Sequence, residues 1–143
     1  MKILVCGGAG FIGSAFIKNY LNNNPKNKII NLDLLTIGSN LKNLKEIEQN
    51  KNYQFINDDI KNQKLVDNLA KDVDVIINFA AESHVDRSIA NPKPFIETNI
   101  LGTYSLLEAT KKHDNLFIHV STDEVYGDAE NEDSFTEKSL INP

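Results

Sequence analysis

Gly7-Gly8-Ala9-Gly10-Phe11-Ile12-Gly13 decides how this chain is read. The glycines at 8, 10 and 13 have the spacing of a dinucleotide-binding turn, and Gly7 adds a second frame of glycines at 7, 10 and 13. Each glycine in such a turn has its own physical task. One bends the chain tightly, one lets backbone approach a pyrophosphate, and one lets a helix pack close against a strand. Glycine turns alone are common, so the flanks carry the argument. The apolar run Lys2–Cys6 precedes this turn, and a helical pattern from Phe11 to about Asn22 follows it, with Phe11, Ile12, Ala15, Phe16 and Tyr20 near one face.

A second strand, Lys28–Leu32, ends at Asp33, about twenty residues past the last glycine, where a ribose-binding carboxylate is expected. A carboxylate there accepts hydrogen bonds from ribose hydroxyls and repels a 2′-phosphate. Leu34-Leu35-Thr36 offers no basic residue to hold such a phosphate, so NAD is favoured over NADP. The competing reading of Asp33 is a surface residue that caps a loop. Asp59-Ile60 either holds the adenine or starts a helix in the ordinary way.

Further strands are expected at Gln54–Ile56, Val73–Phe79 and Leu116–Ser121. Helices are expected at Leu41–Gln49, Gln63–Ala70 and from Pro94, which suits a first helical turn, to Lys112. Short apolar strands alternating with helices imply a parallel sheet covered on both faces. The fold class is therefore α/β, a doubly wound parallel sheet of the Rossmann type, read as one domain over residues 1–143. The stretch from Gly127 to Pro143 gathers Asp128, Glu130, Glu132 and Asp133 and reads as a solvated loop.

The 143 residues suffice for one domain, and 41% apolar with 24% charged residues is ordinary for a globular chain. A net charge of −5 argues against nucleic acid or an anionic membrane as partner. It does not argue against phosphate, which a helix N-terminus binds without net positive charge. No run is apolar and long enough to cross a membrane and no signal peptide leads the chain, so a cytoplasmic location is expected. The single cysteine, Cys6, excludes an internal disulfide and a cysteine-based zinc site, and no metal is expected. In its apolar run it reads as a small buried hydrophobe.

Gly7 through Ser14 resembles the extended short-chain dehydrogenase/reductase family. Three later strings narrow the resemblance to its dTDP-glucose 4,6-dehydratase branch. They are Ala80-Ala81-Glu82-Ser83-His84-Val85-Asp86-Arg87-Ser88-Ile89, Phe95-Ile96-Glu97-Thr98-Asn99 and Ser121-Thr122-Asp123-Glu124-Val125-Tyr126-Gly127. The resemblance implies NAD as cofactor and dTDP-glucose as substrate. It implies that Phe11 and Ile12 lie against the pyrophosphate and that Asp33, Leu34, Leu35 and Thr36 surround the adenosine ribose. Asp59 and Ile60 would meet the adenine. Phe79, Ala80, Ala81, Glu82, Ser83 and Thr98 would face the nicotinamide half, with Ser83 and Thr122 also touching the sugar nucleotide. Cys6 stands where many relatives carry Thr, without an expected consequence. A homodimer is implied for the full-length protein.

In that branch a carboxylic acid and a carboxylate eliminate water from a 4-keto sugar, and by resemblance Asp123 is the acid and Glu124 the base. Taken alone, two adjacent acids at a strand end read as a solvated pair. Adjacent strand residues point to opposite faces, so both can serve one site only if the strand ends in a turn there. His84 is either a substrate contact or a satisfied loop histidine.

One departure stands out. The Tyr-x-x-x-Lys motif of the family does not occur; in relatives it follows a segment like Phe135–Pro143, where this chain stops. Neither Tyr104 nor Tyr126 has a lysine four residues on. Either a fragment of a longer enzyme or a truncated reading frame is expected, lacking the substrate domain and inactive alone. The alternatives are an epimerase or decarboxylase on the same scaffold and a non-catalytic NAD-binding module.

Overall fold

The computed structural model describes residues 1–129 and 134–143. Glu130, Glu132 and Asp133 of the acidic stretch lie outside the described residues. Strand β1 (Lys2–Cys6) leads into helix α1 (Phe11–Asn23), followed by β2 (Lys28–Asp33) and a 3₁₀ turn at Leu41–Ile47. Next come β3 (Tyr53–Asn57), α2 (Gln63–Ala70), β4 (Val75–Asn78) and α3 (Val85–Ala90). A helix then starts as α4 (Lys93–Phe95), passes through a π-helical stretch at Ile96–Gly102 and continues as α5 (Thr103–His113). β5 (Leu116–His119) and a 3₁₀ turn at Asp123–Tyr126 complete it.

The five strands form one sheet in the order β3-β2-β1-β4-β5, and every pairing is parallel. Parallel neighbours cannot be joined by a hairpin, so each connection crosses a face of the sheet and needs an apolar side of its own. Alternation along the strands supplies both faces. Leu4, Cys6, Ile30, Leu32 and Ile76 meet Val66 and Ala70 of α2 with Leu106 and Ala109 of α5. Ile3, Val5, Ile29, Val75 and Ile77 meet Ile17 and Leu21 of α1 with Leu44 and Ile47 of the 3₁₀ turn. The doubly wound expectation holds.

The sheet runs shorter than expected at its right-hand strands: β4 is Val75–Asn78 rather than 73–79, and β5 is Leu116–His119 rather than 116–121. Val73 is apolar because the preceding turn buries it, not because it lies on a strand. The face expected for α1 is also corrected. Its buried side is Gly13, Ser14, Ile17 and Leu21, whereas Phe11 and Ile12 are exposed. The glycine turn brings the helix so close to the sheet that small residues, not Phe or Ile, must line its first buried turn. Phe16 and Tyr20 flank that side, stacked with centroids 5.5 Å apart. Cys6 is fully buried, and desolvation first, then the nearby Asp33 charge, push its thiol well above the ordinary range. It is an inert core residue.

Candidate functional site

A cleft of about 400 Å³ opens at the carboxyl ends of the strands, over the point where β1 separates the crossovers to β2 and to β4. Open parallel sheets bind ligands at such a switch point.

The glycine turn forms its floor. Gly7 has φ +76°, and a Cβ there would lie 2.5 Å from the backbone nitrogen of Ala80. Any side chain would therefore both strain the turn and push β1 from the chain leaving β4. At Gly13 a Cβ would press on the Gly7 carbonyl and sit 2.8 Å from the Gly8 Cα, so α1 could not start this close to the turn. Gly10 differs. A Cβ there would meet only the Gly7 carbonyl oxygen, at 3.4 Å, and its open side faces the cleft. Gly10 is also the N-cap of α1 and has no side chain to cap the first-turn amides. Those N–H groups and the positive end of the helix dipole are left for an anionic ligand.

Asp33 closes the β2 end of the cleft. It is 5% exposed, and no cation pairs with it among the described residues. Three donors satisfy it instead: Ala9 N–H to Oδ2 at 2.8 Å, Leu35 N–H to Oδ1 at 2.8 Å and Ser39 Oγ to Oδ1 at 2.9 Å. A carboxylate has about four acceptor positions, so one remains, on Oδ2. The Ala9 bond also clamps the glycine turn to β2. Leu35 takes an uncommon left-handed φ of +58° to reach Asp33, and its side chain lies outside the cleft lining. Leu34 and Thr36 do line the cleft.

Asp59 and Ile60 form the next wall, and Asp59 pairs with Lys61 at 3.4 Å. Lys61 reaches on to Glu97 at 3.1 Å; that hydrogen bond is the main cause of a raised Lys61 pKa and a lowered Glu97 pKa. This bridge ties the loop after β3 to the π-helical stretch. Ile60 is buried against Gly102 of that stretch.

Phe79, Ala80, Ala81, Glu82 and Ser83, leaving β4, make the opposite wall with Thr98. The Asn99 amide brackets this segment, accepting from Glu82 N–H and donating to the Glu82 carbonyl, both at 2.9 Å. The Glu82 carboxylate turns away to Arg87, 3.0 Å distant. The π-helical stretch lets Thr98 face the cleft while its neighbour Asn99 holds the wall, and such stretches recur at functional sites.

Of the residues read from the sequence, Gly7, Gly10, Gly13, Phe11 and Ile12 and both walls gather in this one cleft, whereas Gly8 packs against Asn31 and Ile17. Ser39 and Val120 line it too, without having been expected. The Ser39 contribution arises from the loop path after Asp33, which follows no motif. His84 caps α3 outside the cleft, its carbonyl accepting from Ser88 N–H. Thr122, Asp123 and Glu124 sit exposed just beyond β5, two residues past the cleft residue Val120 in the case of Thr122. The strand ends before them, and Thr122 Oγ1 accepts from Glu124 N–H at 3.3 Å as the cap of a 3₁₀ turn. That turn is the departure from strand geometry that two adjacent acids need in order to serve one site. The stretch after it folds back, with Asn142 N–H donating to the Val125 carbonyl at 2.9 Å and Phe135 stacked on Tyr126.

A family model described as GDP-mannose 4,6 dehydratase matches residues 4–143. Agl12, a low-salt glycan biosynthesis protein of Haloferax volcanii, is 46% identical over 144 residues, all of this chain and 46% of its own length. A dTDP-glucose 4,6-dehydratase of Mycobacterium tuberculosis is 41% identical over 145 residues, covering all of this chain and 43% of its own length. The solved structure of DesIV, a dTDP-glucose 4,6-dehydratase from Streptomyces venezuelae with NAD and TYD bound, matches with a TM-score of 0.92 at 42% identity. That match covers all of this chain and 46% of DesIV. The chain spans less than half the length of these relatives.

Proposed function

The chain belongs to the GDP-mannose 4,6 dehydratase family, and on that premise we propose that it is the NAD-binding portion of a dTDP-glucose 4,6-dehydratase. The observation that carries the proposal is the pairing of an uncapped α1 N-terminus at Gly10 with Asp33 across one cleft. The two features match the two chemical ends of an adenosine diphosphate: an anion and a ribose.

In this reading the first-turn amides of α1, with Phe11 and Ile12 alongside, bind the pyrophosphate. Asp33 accepts from the adenosine ribose through the one acceptor position that its three donors leave. A 2′-phosphate would meet a buried carboxylate that no cation pairs with among the described residues, so NAD is preferred. Asp59 and Ile60 flank the adenine, and Phe79 to Ser83 with Thr98 flank the nicotinamide. Bound NAD supplies the hydride acceptor for oxidation at C4 of the sugar and the hydride returned to C6.

Asp123 and Glu124 perform the elimination between those two steps. A 4-ketone makes the C5 proton acidic, and Glu124 takes it. The electron pair left at C5 forms the C5–C6 double bond as the C6–O bond breaks, and Asp123 protonates the departing hydroxyl to give water. Thr122 and Ser83 contact the substrate, as does His84. An epimerase on the same scaffold eliminates nothing and has no use for two carboxyl groups in one turn. Residues 1–143 form a single nucleotide domain, with the sugar-nucleotide domain and the Tyr-x-x-x-Lys motif supplied by a longer chain. A cytoplasmic homodimer acting on dTDP-glucose completes the proposal.

Titration of the chain with NAD and NADP tests the cofactor site, and NAD is expected to bind at least about tenfold more tightly, since each 1.4 kcal/mol is tenfold. Equal affinities would remove Asp33 from the ribose. In the complete enzyme, Glu124→Gln is expected to stop at the 4-keto sugar with reduced cofactor accumulating, at a cost of about a hundredfold or more in turnover. Normal turnover of dTDP-glucose by that variant would remove Glu124 from the elimination.

A further inference from the structure

Asn78 ends β4 and His119 ends β5, and the two are partners in the sheet register. Asn78 is completely buried. Its Oδ1 accepts from Ala80 N–H at 3.0 Å, and its Nδ2 lies 3.2 Å from His119 Nδ1. Val120 N–H donates to the Asn78 carbonyl at 3.1 Å, and Phe117 stacks on the His119 ring at 6.0 Å. A hydrophobe would serve the sheet equally well at position 78. A buried amide is desolvated at both ends, and a hydrogen-bond partner at each end offsets that cost.

Both ends are used, and in a fixed sense. Ala80 N–H can only donate, so the amide oxygen must face it and the NH₂ must face His119. His119 Nδ1 is then the acceptor, and the ring proton resides on Nε2. Flipping the amide would set donor against donor at Ala80. One side chain thus joins the cleft wall at Ala80 to the end of β5, three residues before Thr122.

We infer that Asn78 and His119 are a positioning pair that sets the Thr122–Glu124 turn against the wall of the cofactor cleft. The inference rests on the dehydratase reading for its consequence but not for its geometry. β5 has a single strand neighbour among the described residues, and past His119 the Val120 N–H bond to the Asn78 carbonyl is the last ladder contact before the Thr122 turn, so the Asn78–His119 pair stands at the point where the sheet releases the chain. Misplacing a reacting group by about 1 Å can cost about a hundredfold in rate.

The test compares His119→Asn, His119→Gln and His119→Ala in the complete enzyme. The Asn side-chain oxygen falls where Nδ1 was, and the Gln oxygen falls near Nε2. His119→Ala and His119→Gln are expected to lower kcat for 4-keto-6-deoxy sugar formation about tenfold or more with NAD affinity unchanged, while His119→Asn stays within about threefold of the parent. Equal losses in all three, or a parallel fall in NAD affinity, would overturn the pair as a positioning device. Nitrogen-15 NMR of the unsubstituted protein reads the tautomer independently of activity and of variant folding. An unprotonated Nδ1 is expected at neutral pH, and a proton on Nδ1 would overturn the inference. Were the unsubstituted enzyme to form no 4-keto sugar, the dehydratase reading would fall, and the tautomer would still decide the pair.

Discussion

Asp33 is a buried carboxylate held by N–H and O–H groups rather than by a cation, so what it accepts from matters more than its charge. Asp33→Asn keeps the shape but replaces one acceptor oxygen with an NH₂. Whichever way the amide turns, it faces a donor: Ala9 N–H on one side, or Leu35 N–H and Ser39 Oγ on the other. The expected result is a loss of about 1–3 kcal/mol of stability in urea unfolding, since a buried donor goes unmatched. NAD affinity should fall with it, because the Ala9 bond holds the glycine turn. A variant as stable and as tight-binding as the parent would show that Asp33 is replaceable by any polar group. The position of Asp33 was legible in the sequence from its spacing to the glycines, yet its three partners were not. Ser39 reaches it along a loop in which Leu35 takes a left-handed conformation, which no local preference of leucine announces.

At the scale of elements, the helix between Lys93 and His113 is one rod with a π-helical stretch in its middle. That stretch carries Thr98 to the cleft, Asn99 to the Glu82 backbone and Gly102 to Ile60. A Cβ at Gly102 would lie 2.7 Å from Ile60 Cγ1, and Ile60 is 5% exposed, so a branched side chain at 102 would press it toward the cleft that it lines. Gly102→Val is expected to cost about 1–3 kcal/mol by overpacking, read by urea unfolding. Because Ile60 also lines the cleft, NAD affinity should drop with stability; an unchanged affinity would separate the two. The expected helix from Pro94 to Lys112 was right in extent, since proline at the start and basic residues at the end mark both termini. Its change of winding was invisible, because a π turn adds one residue to a loop of hydrogen bonds and leaves composition and period nearly intact. For a related reason α3 is hard to read: it has six residues, and Val85 and Ile89 are a single i, i+4 apolar pair that the structure leaves exposed, too short a pattern to mark a helix. The acidic turn at Asp123 was legible only through its string of residues, as two exposed acids have no pattern of their own.

Over the whole molecule, two faces of one sheet share the stability, and Asp67 joins α2 to α5 on one of them. Its carboxylate meets Lys112 at 2.9 Å and His113 at 2.8 Å, with Lys71 at 3.8 Å. Hydrogen bonds from Lys112 first, then His113, lower its pKa from 3.8 to about 2. A lowered folded-state value stabilises above the unfolded value and is lost as pH falls through the folded one. Asp67→Asn should therefore lower Tm at pH 7, and the deficit should fade between about pH 4 and pH 2. A deficit independent of pH would mean that packing, not charge, is what the substitution removes. Among the described residues β5 is an edge strand, and its Leu116 and Ile118 are each more than 40% exposed. The chain alone is expected to self-associate in light scattering, and a monodisperse monomer would refute this. The strand order has a consequence in time. β1 precedes the other four described strands in the chain and lies between β2 and β4 in the sheet, yet its partner β4 lies far along the chain: Lys2 N–H donates to Asp74, 72 residues away. On the ribosome, Ile3, Leu4 and Val5 wait several seconds for that neighbour at roughly 5–20 residues added per second. Through that interval the future centre of the sheet is an open apolar edge, so a holding chaperone or a pause in translation bears most on the nascent chain before Val75 emerges.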